Sequence, residues 1–365
     1  MAQEQSIVKC LVWDLDNTLW NGTLAEDGRV EVDDGVRAVV EGLDARGVLQ
    51  AVSSRNDHDP AWARLEELGL AEYFVAAHID WGPKSDSVRK IAERLDFALT
   101  TIAFIDDQPA ERAEVAHHLP DVRCYPADQA RDLLDRPEFS PPAVTADARR
   151  RRQMYQAAAE REEHRERFDG ADEDFLRSLR IETHIAEACD EDLTRVEELT
   201  RRTSQMNATG VHYSQEALRS LLGAPDHDVL VVSMADRFGP HGAVGVLLIE
   251  KLPRVWRIKL LATSCRVVSF GAGTVLLRWL TDAAARAGVH LAADFRRTDR
   301  NRIMEVAYRF AGFGTGGCDC LGAFTVPEGT ECLHLEPTRQ EAPTTMRVVA
   351  PVLGGGGGAA AVEWE

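Results

Sequence analysis

The chain has 365 residues, of which 44% are hydrophobic and 28% charged, and a formal net charge of −18. The composition is that of a globular protein, and the length exceeds what one ordinary core holds, so two domains are expected. The acidic balance argues against nucleic acid or an anionic lipid surface as a partner, since either requires clustered Lys and Arg, and no run approaches the roughly 20 apolar residues of a membrane span. Met1 to Ser6 is polar and runs straight into a strand-like segment, so no signal peptide is expected. Seven cysteines without framework spacing point to free thiols in a reducing cytoplasm. Cys318 and Cys320 form a CxC with no second pair nearby, so the spacing does not predict a zinc site.

Apolar runs alternate with amphipathic stretches over residues 1–140, the pattern of a βαβ parallel sheet. Strands are expected at Val8 to Trp13, Val48 to Val52 and Thr101 to Ile105, with helices around Pro60 to Leu68 and Ser85 to Leu95. Pro137, Pro141 and Pro142 then break regular structure, and residues 141–180 read as a helical linker. Within it Thr145 caps a charged segment that reaches Phe168 and reads as a solvated connecting helix. Residues 181–325 read as an α+β domain. Its helices are expected near Asp190 to Arg202, up to Leu222, at Gly271 to Ala287 and at Asn301 to Ala311. Its strands are expected at Val229 to Met234, Gly242 to Glu250, Trp256 to Ala262 and His290 to Phe295. The tail, 326–365, ends in a Gly/Ala-rich run and reads as partly disordered.

Asp14, Asp16, Asn17 and Thr18 follow the first strand directly, at the end of a parallel sheet where ligands bind. A carboxylate there can attack phosphorus, and one two residues on can protonate the leaving oxygen. Ser54, with Ser53 as the competing choice, closes the second strand with a hydroxyl for a phosphoryl oxygen. Lys84 supplies a compact cation at a helix start. Asp106 and Asp107 end the next strand with hard oxygen ligands suited to Mg²⁺. These four pieces, in this order, resemble the haloacid dehalogenase (HAD) phosphatases, which implies a HAD-type Rossmann-like domain. The resemblance makes Asp14 the nucleophile and a metal ligand, and Asp16 the general acid/base whose carbonyl also meets the metal. It makes Ser54 and Lys84 the phosphate holders, with Asn17 and Thr18 in the same loop, and Asp107 the metal-binding acid with Asp106 beside it. No large insertion follows the first motif, so the cap over the site is expected to be small or absent.

In the second half, Arg266 to Gly271 followed by a helix resembles the phosphate-cradling loop of the GNAT acyltransferases, with Ser269 where a glycine is usual. Residues 7 to 315 as a whole resemble the FkbH-like proteins of polyketide biosynthesis. The likeness rests on Val8 to Trp20, Phe104 to Asp107, Thr203-Ser204-Gln205-Met206-Asn207, Asp236 to Gly239 and Ser264 to Val267. It implies an enzyme that takes 1,3-bisphosphoglycerate, removes phosphate, and loads the glyceryl unit through a cysteine thioester onto an acyl carrier protein. Cys265 precedes the cradling loop and is the expected thiol, with Cys10 the alternative; Arg266, Gln205, Asn207, Asp236 and Arg237 are substrate-binding candidates. Arg201, Arg202 and Arg266 offer basic positions for an acidic carrier protein. Two other readings stand beside this one: a HAD phosphatase fused to a small-molecule N-acetyltransferase, and an inactive carrier-docking module.

Overall fold

The computed structural model describes residues 6–141, 144–203, 205–353 and 361–364, the side chain of Arg202 excepted. Ser204 and the Gly/Ala run at 354–360 lie outside the described residues. The chain divides into two compact units, Met1–Ala159 and Glu160–Glu365. Its class is α/β, a parallel-sheet unit followed by an α+β unit. Among the described residues no helix is long and apolar enough to cross a membrane.

The first unit is built on a five-stranded sheet of order β3-β2-β1-β4-β5. Its strands are β1 (Cys10–Trp13), β2 (Leu49–Ser54), β3 (Phe74–Ile79), β4 (Ile102–Asp106) and β5 (Arg123–Pro126), all paired in parallel. Strands buried on both faces need apolar residues at nearly every position. Accordingly Leu11, Trp13, Val52 and Ile105 join one core, while Cys10, Val12, Ala51 and Phe104 join another across the sheet. The chain leaves β1 toward β2 on one side and returns through β4 on the other. The carboxyl end of β1 is therefore a topological switch point, the place in such sheets where a crevice opens. The expected strands and helices are present within a few residues. Elements that were not anticipated include β3, β5, the helix Asp34–Ala45 capped by Asp33, and the helix Pro109–His118 with proline in its first turn.

The second unit carries an eight-stranded sheet of order β11-β10-β9-β8-β7-β6-β12-β13. Its strands are β6 (Ile181–Glu187), β7 (His227–Asp236), β8 (Gly239–Leu252), β9 (Val255–Thr263), β10 (His290–Phe295), β11 (Glu331–Leu335), β12 (Met346–Ala350) and β13 (Val362–Glu363). The run β6 to β9 is antiparallel, the helix Ala272–Ala287 crosses over, and β10 returns parallel to β9, as the GNAT-like expectation requires. Pairing of β9 with β10 stops at Ile258 and Ala293, so the two strands part beyond that level.

Two expectations are corrected here. Residues after Val326 are part of the second unit: β11, β12 and β13 extend its sheet on both flanks, because Leu333, Met346, Val348 and Ala350 supply apolar residues to its core. The charged helix, Arg151–Arg167, is not simply solvated, since Met154, Ala157 and even Arg161 are buried. Thr145 caps a separate short helix before it, Ala146–Arg149, with its Oγ1 accepting from the Ala148 amide at 3.1 Å.

Candidate active site

At the carboxyl ends of β1, β2 and β4, Asp14, Ser54, Lys84 and Asp106 are all buried. Lys84 opens the helix Lys84–Leu95, whose first turn is anchored by Glu114. That carboxylate accepts from the Ser85 amide at 3.0 Å and from its hydroxyl at 2.5 Å. So placed, Lys84 Nζ donates to an Asp14 carboxylate oxygen and to the Ser53 carbonyl at 2.6 Å, and lies 3.4 Å from Asp106 Oδ2. Burial pushes the Asp14 carboxyl up, with the Lys84 charge and hydrogen bond opposing. Burial and then the charge of Asp14 push Asp106 up to about 6, with Lys84 again opposing. One ammonium shared by two desolvated carboxylates leaves excess negative charge in the crevice.

Asp14, Asp106 and Asp107 bring one carboxylate oxygen each within 4.8 Å of one another. Asp107 Oδ1 is buried with no hydrogen-bond partner among the described residues. Hard anionic oxygens, one of them unsatisfied, fit a small divalent cation such as Mg²⁺. Thr18 has a positioning part, its Oγ1 accepting from the Asp107 amide at 2.9 Å. Asn17 turns the loop: it holds φ 54, its Oδ1 accepts from the Gly22 amide at 3.2 Å, and its own amide donates to the Gly22 carbonyl. Alternation along β2 places Ser53 on the sheet face of Asp14 and Asp106, and Ser54 one step nearer the strand's end on the opposite face. Ser53 Oγ is buried without a partner among the described residues.

Three donors converge on Asp16: Trp20 Nε1 at 2.7 Å, the Leu24 amide at 3.0 Å and Asn56 Nδ2 at 3.0 Å. Sequence reasoning found Asp16 but not these partners. Asn56 follows Ser54 by two residues and was the only readable signal. Trp81, 70% exposed on the loop before Lys84, was also missed.

In the second unit Cys265 is exposed, directly after β9. Cys10 is sealed within β1, and burial drives its thiol far up, away from the reactive thiolate. The expected cradling loop is a short 3₁₀ turn, Cys265–Phe270, in which Arg266 is exposed and Gly271 takes φ 74 before the helix Ala272–Ala287. That helix begins without a side-chain cap, and Thr263 Oγ1, close to Gly273, is buried with no hydrogen-bond partner among the described residues.

Two of the remaining candidates have buried side chains. Asn207 is fully buried, its amide donating to the Thr200 and Val211 carbonyls while its oxygen accepts from the Thr209 and Gly210 amides. It folds the loop and has no capacity left for substrate, which corrects the substrate-binding expectation. Asp236 is corrected likewise, since its side chain is 0% exposed and bonded to Arg161 at 2.5 Å, His241 at 3.0 Å and the Phe238 amide at 2.9 Å. Arg237 is exposed and donates to His164 at 2.9 Å, and Gln205 is exposed. Arg201 pairs with Glu197 at 2.9 Å.

The family model for haloacid dehalogenase-like hydrolases matches residues 23–118, which contain Ser54, Lys84, Asp106 and Asp107 but begin after Asp14 and Asp16. No curated protein matches the chain. Among solved structures, the N-terminal phosphatase-containing part of a Bacteroides fragilis protein, complexed with Mg, is 28% identical over 37% of this chain and 39% of its own, with a TM-score of 0.32. The chain thus spans well under half of that structure. The ribosomal-protein-S18-alanine N-acetyltransferase of Escherichia coli is 15% identical over 44% of this chain and 97% of its own, with a TM-score of 0.32. Ard1 of Thermoplasma volcanium is 14% identical over 43% and 99%, also with a TM-score of 0.32. The chain is thus similar to HAD-like hydrolases over residues 23–118 of its first unit.

Proposed function

We propose that this chain is a bifunctional phosphatase and glyceryl transferase of the FkbH-like kind. It would take 1,3-bisphosphoglycerate and pass the glyceryl unit to an acyl carrier protein in polyketide or related antibiotic biosynthesis in the cytoplasm. The observation that carries the reading is the convergence of Asp14, Lys84, Asp106 and Asp107 at one sheet end, in a chain whose second unit presents an exposed thiol, Cys265.

The chemistry balances in four steps. The Cys265 thiolate attacks the acyl-phosphate carbonyl, a C–S bond forms, the C–O bond breaks, and inorganic phosphate leaves. At the first site Asp14 attacks the phosphorus of the remaining monoester, and the leaving alkoxide takes its proton from Asp16. Water then attacks the phospho-aspartate, giving its proton back to Asp16 and freeing Asp14 and phosphate. Lys84 holds the phosphoryl oxygens throughout. Asp14, Asp106 and Asp107 would hold Mg²⁺, which supplies positive charge against the transferring phosphoryl group. Finally the phosphopantetheine thiol displaces Cys265 by thioester exchange.

Charge favours a different docking face from the one expected at Arg201 and Arg202. On the helix Arg302–Phe310, Phe310 is 89% exposed beside Ile303 and Val306. Val306 and Phe310, together with Arg297, Arg302, Arg309 and Glu305, line a groove of about 580 Å³. An apolar centre ringed by arginines suits an acidic carrier protein.

Intact-mass measurement after incubation with 1,3-bisphosphoglycerate tests the proposal. A hydroxylamine-labile acyl adduct is expected on the native protein and should be absent from Cys265→Ala, which keeps its phosphatase activity. An adduct that persists in Cys265→Ala overturns the assignment of the thiol. Consumption of acetyl coenzyme A with no adduct favours the N-acetyltransferase reading.

A further inference from the structure

Cys318 and Cys320 have no second cysteine pair in sequence, but the fold provides two histidines instead. His290 opens β10 and His334 lies on β11, which pair antiparallel with Ala292 opposite His334. The His334 amide donates to the Gly314 carbonyl at 2.7 Å, and the Gly314 amide returns the bond at 2.8 Å. That clasp leads the following loop back over β10, where Cys318 begins the short turn Asp319–Ala323. One donor atom from each of His290, Cys318, Cys320 and His334 lies within 4.8 Å of the others. His290 Nδ1 stands 3.0 Å from His334 Nε2 and 3.4 Å from Cys318 Sγ. Tetrahedral zinc, with bonds of about 2.0–2.1 Å to nitrogen and 2.3 Å to sulfur, sets ligand edges of roughly 3.3–3.8 Å.

We propose that these four side chains form a closed, structural zinc site in the second unit, separate from the carboxylate site of the first. The donor set is two imidazoles and two thiolates, which selects zinc over the hard cations that Asp14, Asp106 and Asp107 suit. Binding releases one proton from each thiol, so a dication and two thiolates form a neutral assembly. Neutrality matters because Cys320 is buried against Val255 and Ala292, with Leu321 and Phe324 packed beside it. All four positions are filled by protein, leaving none for substrate, so the ion ties the 315–324 loop and β11 to the start of β10.

The test uses the full chain, dialysed without chelator and analysed for metal, then stripped and reloaded with cobalt. One zinc per chain is expected, together with the intense visible bands of thiolate-bound tetrahedral cobalt in the reloaded protein. Cys318→Ser/Cys320→Ser should lose both, whereas Asp107→Asn should keep both. The cobalt spectrum of the unsubstituted protein decides the matter even if the double variant fails to fold. A native chain that takes up no zinc, a spectrum of oxygen-only ligation, or a Cys318–Cys320 disulfide in freshly purified protein overturns the proposal.

Discussion

Asp14 and Lys84 depend on each other: the lysine has a buried carboxylate to face, and the carboxylate has its charge partly compensated. Asp14→Asn removes the nucleophile and one anionic oxygen while keeping the shape, and Lys84 still has Asp106 within 3.4 Å. Phosphate release from a monoester should fall by roughly 10³-fold or more, with the circular-dichroism spectrum and melting curve little changed. Chelation of divalent cations should have the same effect on phosphate release and be reversed by adding Mg²⁺. Release that continues undiminished in the Asn variant would remove the aspartyl-phosphate route. The aspartates were legible because a DxD directly after an apolar strand, and a DD directly after another, state both their chemistry and their place. The donors on Asp16 were not, because Trp20, Leu24 and Asn56 reach it only through the turn of the loop and the neighbouring strand.

Single elements in the second unit depend on polar side chains that no periodicity marks. Asp236 ends β7 and receives Arg161, His241 and two backbone amides. Burial works to raise its pKa, but the bonds to His241 and Arg161 and the Arg161 charge hold it well below the ordinary carboxylate range. A depressed folded-state pKa means that the unfolded chain binds the proton first. This contribution is therefore full above about pH 4 and is lost as pH falls below that value. The melting temperature of the second unit should drop steeply in that window. Asp236→Asn should flatten the drop, and at neutral pH should cost about 3–5 kcal/mol, since Arg161 is left buried beside an amide. A pH profile identical to that of the native protein would show that Asp236 carries no such linkage. The strands here were legible from their apolar runs. The helix Asp34–Ala45 was missed because Gly35 and Gly42 dilute its pattern, though Leu43, Val40 and Val36 do face the core. Gln205 and Asn207 were read as substrate-binding candidates, but residues 206–208 fill the space where β9 and β10 part. Ala208 donates to Leu261 and accepts from Arg296, and Asn301 bonds the Asn207 and Ala208 carbonyls. Only the tertiary fold brings Asn301 to a segment so distant in sequence.

Across the whole molecule, a formal charge of −18 makes any basic surface informative. If the helix Arg302–Phe310 receives the carrier protein, Arg302→Glu/Arg309→Glu should slow transfer to the carrier by about 10-fold or more at low salt. Most of the native dependence on ionic strength should vanish with it, because steering by opposite charge is what salt screens. Hydrolysis of a small phosphate ester should be unaffected. An unchanged transfer rate and salt dependence in that variant, measured by stopped-flow or quenched-flow mass spectrometry, would place docking elsewhere. The two-unit organisation and both sheet types were legible from the sequence. The role of the last forty residues was not, because proline, glycine and threonine outnumber the few apolar residues that make β12.

Those few residues govern how the chain behaves when it is cut. β12 lies parallel to β6 and β13 lies on β12, while Trp364 is buried and its indole reaches Asp282 at 3.2 Å. A chain ending after Val326, the natural choice if the tail were dispensable, loses β11 from one flank and β12 and β13 from the other. It leaves β6, with Ile181 and Ile185 stripped of apolar neighbours, as an unpaired edge ready to template another copy, and Asp282 without Arg339 and Trp364. Such a protein should be recovered as aggregate, driven by exposed strand edges and by the loss of His334, while the carboxylate site of the first unit keeps all its residues.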